Sequence, residues 1–153
     1  MKYIKSPMNY IGGKYKLLDQ ILPFFPKNID CFMDLFAGGF SVGINADANK
    51  IICNDHIDYI INIYKEFTYR NKEEILKHIY DRITEFNLSK TNEEGFKRFR
   101  DFYNKTKHPL DLYVLACFSF NYQIRFNNSH EYNTPFGRNR SCFTRNQEKN
   151  LIF

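Results

Sequence analysis

A short run, Asp34-Leu35-Phe36-Ala37-Gly38-Gly39-Phe40-Ser41, sets an acidic residue ahead of two glycines. Glycines let a backbone approach a ligand closely and take φ values closed to other residues. A second acid, Asp55, follows 17 positions after Gly38. Two glycines alone point to plain chain reversal. An acid at the end of a second parallel strand can reach the hydroxyl pair of a ribose, which turns the reading toward a nucleoside. Upstream, Tyr10-Ile11-Gly12-Gly13-Lys14 puts backbone N–H groups and an ammonium ahead of a helical stretch from Tyr15 to Ile21. Such a terminus can hold an anion or a carboxylate, and an ordinary capped helix reads the same way. It is not a phosphate-binding P-loop, because the GxxxxGK[ST] spacing is absent.

The elements that must position these residues are legible from periodicity. Ile29 to Phe36 reads as a buried strand that ends at Gly38-Gly39, and Lys50 to Cys53 as a second strand closed by Asn54-Asp55. Ser41 to Asn49 has the length of a short crossover helix, so the unit is βαβ and its sheet parallel. Asp58 to Phe67 is helical. Ile75, Ile79 and Ile83 then recur every four residues, flanked by Leu76, Tyr80 and Phe86. After a polar break at Ser89 to Asn92, a helix carries Phe96, Phe99 and Tyr103. Pro109 opens LDLYVLACFSF, apolar nearly all round and suited to the buried centre of a small bundle. From Asn121 the chain turns polar, and Asn127-Asn128-Ser129 marks the turn of a β-hairpin in which Phe126 and Tyr132 pack.

Composition sets the bounds. Sixteen Phe and 11 Tyr among 153 residues are too many rings for ligand platforms, so most belong to a core. A net charge of +5 suits a polyanionic partner such as nucleic acid, and also simple solubility. The basic cluster Lys97, Arg98, Arg100, Lys105 and Lys107 fits a solvated helix face better than a phosphate site. Cys31, Cys53, Cys117 and Cys142 contain no CxxC, and three lie in apolar runs, as reduced core thiols would. His56, His78, His108 and His130 are scattered, so no metal centre is expected. No signal-peptide core and no 18-residue apolar run occurs, which points to a cytoplasmic protein without membrane spans.

Four segments in order, YIGGKYKLL, FMDLFAGGFSVGIN with IICND, LSKTNEEGFKRFRDFYNKTKHPLDLYVL and FNYQIRFNNSHEYNTPFGR, resemble the Dam-like N6-adenine DNA methyltransferases, especially those of phages. The resemblance is colinear over essentially the whole chain. It implies S-adenosylmethionine as cofactor, with Tyr10, Gly12 and Lys14 over its methionine part. Asp34, Phe36, Ala37 and Gly38 would line it, and Asp55 would hold its ribose. It implies double-stranded DNA as partner, usually at GATC, with Phe120, Asn121, Arg125 and Pro135 at the DNA. An arginine at 125 suits guanine, whose O6 and N7 accept two hydrogen bonds. From local sequence alone Arg125 reads as a phosphate contact or a solvated side chain. The implied fold is α/β: a partial Rossmann-like S-adenosylmethionine-dependent methyltransferase domain with an incomplete parallel sheet over residues 1–67. A mainly helical target-recognition domain with a β-hairpin follows over 68–140, and 141–153 start the return to the methyltransferase domain.

One part is missing. Transfer to adenine N6 needs an acceptor for the amino group and a ring to stack on the flipped base. The resemblance assigns both to an Asp-Pro-Pro-Tyr motif, and this sequence has no Pro-Pro; its prolines are Pro7, Pro23, Pro26, Pro109 and Pro135. The expectation is therefore a truncated enzyme part with no catalytic residues of its own, needing that motif in trans. A complementing polypeptide or self-association would cover the open sheet edge. The rival readings are an inactive DNA-binding or methyltransferase-modulating protein, and a decayed remnant.

Overall fold

The computed structural model describes residues 3–8 and 10–151. Asn9 of the first glycine motif, and Ile152 and Phe153 of the closing segment, lie outside the described residues, as do Met1 and Lys2. Two compact units form, Met1–Ile61 and Asn62–Phe153.

In the first unit, strands β1 (Ile29–Asp34) and β2 (Ala48–Cys53) pair in parallel, in register from Ile29 opposite Ala48 to Asp34 opposite Cys53. A 3₁₀ turn at Tyr15–Leu17 leads into α1 (Leu18–Ile21), whose Leu18 is fully buried. The crossover expected to be helical over Ser41 to Asn49 holds only a 3₁₀ turn, Gly43–Asn45. Asp34 Oδ2 accepts from the Gly43 N–H at 3.0 Å, and the Asn45 carboxamide donates to Ser41 and Ile4 carbonyls. β2 starts at Ala48, two residues ahead of Lys50, and these hydrogen bonds hold the chain before it in turns in place of a helix.

The strands are less buried than their apolar sequence suggests. Cys31, Met33 and Ile51 are exposed, and Leu35 and Phe36 beyond β1 are exposed as well. This corrects the reading of Cys31 as a core thiol. A strand of a parallel sheet is covered by flanking strands and helices, and among the described residues the sheet has two strands only. All four cysteines are free. Cys117 is buried, and burial pushes its thiol up to about 12. Cys53 is also pushed up to about 12, by burial and then by the charges of Asp34 and Asp55. Thiolate is the reactive form. N-Ethylmaleimide at neutral pH should therefore label Cys31 in the folded protein and reach Cys117 and Cys53 only after denaturation, as peptide mass mapping would read.

Helix α2 (Asp58–Tyr69) buries Ile60, Ile63, Tyr64 and Phe67, a stripe at helical spacing. The second unit continues with α3 (Lys72–Glu85), started by a capping box between Asn71 and Glu74, and α4 (Glu93–Thr106), capped by Asn92. α4 turns Phe96, Phe99 and Tyr103 inward and ends at Lys107 in the left-handed region. α5 (Pro109–Phe118) has every residue from Leu110 to Phe118 buried and packs on α3 and α4, the central helix the sequence predicts. α6 (Arg145–Asn150) closes the described chain, with Thr144 and Gln147 forming its capping box.

The hairpin forms in part. Asn127 Oδ1 accepts from the N–H groups of Ser129 and Glu131, which closes the turn at the expected place. Only two antiparallel bridges follow, Phe126 with Tyr132 and Ser119 with Phe136. Between them Asn121 and Tyr122 take positive φ in a 3₁₀ turn at Phe120–Tyr122. Pro135 has no N–H for a ladder, so extended strands do not develop. Tyr132 is buried and packs edge-to-face on Phe126, as read from the sequence.

Candidate functional site

Both strands of the first unit deliver their chemistry at the same end. Parallel register sets Asp34 opposite Cys53, and the ladder continues through Asn54 N–H to Asp34 O and Ala37 N–H to Asn54 O, each 2.9 Å. Asp55 is thereby brought to the glycine turn. Its Oδ2 accepts from the Gly38 N–H at 2.8 Å and its Oδ1 from the Ile57 N–H at 3.0 Å, just before α2 begins. Gly38 has φ +47°, and a Cβ there would meet the Tyr10 ring at 3.1 Å, so both conformation and closeness call for glycine.

Tyr10 lies against the double glycine and accepts the Gly13 N–H at its carbonyl. Gly12 turns through φ +79°, and the Lys14 ammonium donates to the Gly12 carbonyl at 2.6 Å. Around these groups is a cavity of about 330 Å³. Tyr10, Gly12, Lys14, Asp34, Phe36, Ala37, Gly38 and Asp55 all line it, joined by Ile11, Gly13, Gly39, Ser41 and Val42. The structure thus gathers all eight residues named from the sequence on one concave surface, of a size used by small ligands.

Its electrostatics are acidic. Burial, and then the charge of Asp55, raises the Asp34 carboxyl above its ordinary value against the lowering effect of the Gly43 N–H. Burial and then Asp55 likewise raise the Tyr10 phenol. Two carboxylates at one wall can accept from hydroxyl or ammonium groups. Lys14 and backbone N–H groups add cationic and neutral donors to the same lining.

In the second unit Phe120, Asn121, Arg125 and Pro135 are all exposed. The Phe120 N–H donates to the Pro135 carbonyl at 2.8 Å, so the two sit side by side. Arg125 is held by its neighbours across the hairpin: its N–H donates to Thr134 Oγ1, its Nε to Asn133 Oδ1, and its Nη2 to the Asn133 carbonyl. The basic cluster behaves differently. Lys97 pairs with Glu93 at 3.1 Å and Arg100 lies 3.7 Å from Asp101, neutralising part of the face.

Sequence reading missed one group. His78, Arg82 and Asp111, with His108 nearby, come together between α3 and α5 although 29 to 33 positions separate Asp111 from its partners. Asp111 is fully buried, and Oδ1 accepts from His78 Nε2 at 2.7 Å and Arg82 Nε at 2.9 Å. The His78 and His108 rings stack with 17° between their planes, and one ligand atom each from His78, His108 and Asp111 lies within 4.8 Å of the others, close enough to share a cation, a grouping their scatter in the sequence did not suggest. His108 Nδ1 accepts from the Leu110 N–H at the start of α5. The cluster is an ion-pair network that ties two helices.

The family model of D12 class N6 adenine-specific DNA methyltransferases matches residues 10–153. The chain belongs to this family. It is 59% identical over 150 residues to Type II methyltransferase M.FokI of Planomicrobium okeanokoites, covering 98% of this chain and 23% of that protein. To modification methylase StsI of Streptococcus sanguinis it is 56% identical over 151 residues, 99% of this chain and 23% of that protein. To the DNA adenine methylase of Escherichia coli K12 it is 32% identical over 143 residues, 90% of this chain and 49% of that protein. The chain thus spans less than half the length of each of these relatives. The family implies S-adenosylmethionine as methyl donor. Among the described residues no helix is long and apolar enough to cross a membrane.

Proposed function

We propose that this chain is the S-adenosylmethionine- and DNA-binding part of a site-specific adenine-N6 DNA methyltransferase. The observation that carries the reading is the Asp55 carboxylate bonded to the Gly38 N–H inside the 330 Å³ cavity. The cavity's groups fit the donor: carboxylate oxygens for a ribose diol and an ammonium, Lys14 and backbone N–H groups for a carboxylate. Each carboxylate oxygen accepts more than one hydrogen bond, so Asp55 keeps acceptor capacity beyond its two backbone partners. Tyr10, Gly12 and Lys14 take the methionine end, Asp34, Phe36, Ala37 and Gly38 the middle, and Asp55 the ribose. When bound, the cofactor supplies the methyl group.

Double-stranded DNA meets the second unit at Phe120, Asn121, Arg125 and Pro135, with Arg125 reading a guanine. The site proposed is GATC, which rests on the resemblance of the sequence to the Dam-like methyltransferases. The Asp-Pro-Pro-Tyr segment that clamps the adenine comes from outside residues 1–153, and the exposed Met33, Leu35, Phe36 and Ile51 of the first unit support a segment that covers them. The setting is the cytoplasm, where the DNA is.

Tritiated S-adenosylmethionine and unmethylated duplexes test this, GATC first and then random sequence. The chain alone should transfer no label. A family segment bearing Asp-Pro-Pro-Tyr, added in trans, should yield N6-methyladenine. Turnover by the chain alone would overturn the assignment of the missing step. No product from the mixture would count against complementation.

A further inference from the structure

The hairpin does more than display Arg125. A guanidinium has two edges that can make paired hydrogen bonds: the side edge, Nε with Nη2, and the end edge, Nη1 with Nη2. Asn133 occupies the side edge with two acceptors, its Oδ1 on Nε at 3.0 Å and its main-chain carbonyl on Nη2 at 3.2 Å. The two residues are also joined through the main chain, since the Asn133 N–H donates to the Arg125 carbonyl at 3.0 Å. The neighbouring Thr134 is fully buried, and its Oγ1 takes the Arg125 N–H at 3.1 Å. Backbone and side chain of Arg125 are thus both fixed, and the guanidinium plane is set before any ligand arrives.

We infer that Asn133 is a specificity-positioning residue. It consumes the side edge of Arg125 and leaves the end edge, two parallel donors from Nη1 and Nη2, to face the DNA. That pair matches guanine O6 and N7, whereas a free arginine would swing between bases and phosphates. Orientation costs entropy when a long side chain is ordered at the moment of binding, and Asn133 removes that cost in advance. The inference rests on the proposal that Arg125 reads a base.

Selection of the full chain against randomised duplexes, with S-adenosylmethionine present, tests it. The wild type should enrich sites with one guanine that Arg125→Ala no longer selects. Asn133→Ala should lower the preference for that guanine about tenfold, within the range of one bidentate base contact, with the preference at other positions and the salt dependence unchanged. Asn133→Asp keeps an acceptor at the same reach, so it should retain the guanine while binding all duplexes more weakly. If no guanine is enriched, or Arg125→Ala still selects it, the base-reading proposal falls and the inference with it. If Arg125→Ala loses the guanine and Asn133→Ala keeps it at wild-type strength, only the positioning role is overturned. Should Asn133→Ala unfold, Asn133→Asp decides, and loss of the guanine in that folded variant contradicts the inference.

Discussion

Asp55→Ala should weaken S-adenosylmethionine binding about a hundredfold while the protein stays folded. Asp55 does two jobs in the first unit. It holds the Gly38 and Ile57 N–H groups, and in the proposed complex it accepts from the ribose. Hydrogen bonds to charged acceptors contribute about 1.5–3 kcal/mol each, so losing the ribose contact and loosening the Gly38 turn together reach two orders of magnitude. Asp55→Asn should fall between, because its amide oxygen can serve one N–H while its amino group opposes the other. Equilibrium dialysis with labelled cofactor reads both, and circular dichroism checks the fold. An Asp55→Ala affinity within threefold of wild type would remove Asp55 from the site.

A second large effect belongs to the helical unit. Asp111→Ala should lower its stability by about 3 kcal/mol, read as a lower urea midpoint at pH 7, because it breaks a buried pair. The value sits at the lower end of the usual range since the His78 and Arg82 side chains stay partly exposed and regain water. The pH dependence follows from the same contacts. Burial opposes the Asp111 charge, but hydrogen bonds from His78 and Arg82 outweigh it, so the carboxyl lies below its ordinary 3.8. Its contribution is complete above pH 3.8 and is lost as pH falls through the depressed folded value. His108 is lowered from 6.5, by burial first and then by His78. Its neutral form is favoured in the fold, so stability begins to fall below pH 6.5 and falls again below 3.8. Asp111→Ala should shrink the lower step. An unchanged urea midpoint would show that the network adds nothing to stability.

The same two regions show what a sequence exposes and what it conceals. Asp34, Gly38 and Asp55 were legible because a strand, a glycine turn and an acid after the next strand are adjacent in the chain's own order. Parallel pairing then has few ways to bring them anywhere but together. The helices from Asn71 to Phe118 were legible for a similar reason: their apolar spacing is local, and α5 declares its burial by being apolar on every side. The crossover was misjudged because length alone cannot reveal that Asp34 and Asn45 capture its backbone. The exposed Cys31 was misjudged because IDCFMDLF has the composition of a covered strand, and composition is silent on whether the cover lies within the same 153 residues. His78, Arg82 and Asp111 were invisible for a third reason. Only the packing of α3 on α5 brings them together, and no spacing in the chain announces it.

The cavity lined by Tyr10 and Asp55 is proposed as the cofactor site. Backbone amide spectra of the isotopically labelled chain, titrated with S-adenosylmethionine, test it most directly. Saturable shifts are expected at Gly12, Gly13, Lys14, Ala37, Gly38 and Asp55, with the amides of α4 and α5 unmoved. Saturation confined to the helical unit, or no shift at the Gly38 amide at any cofactor concentration, would contradict it.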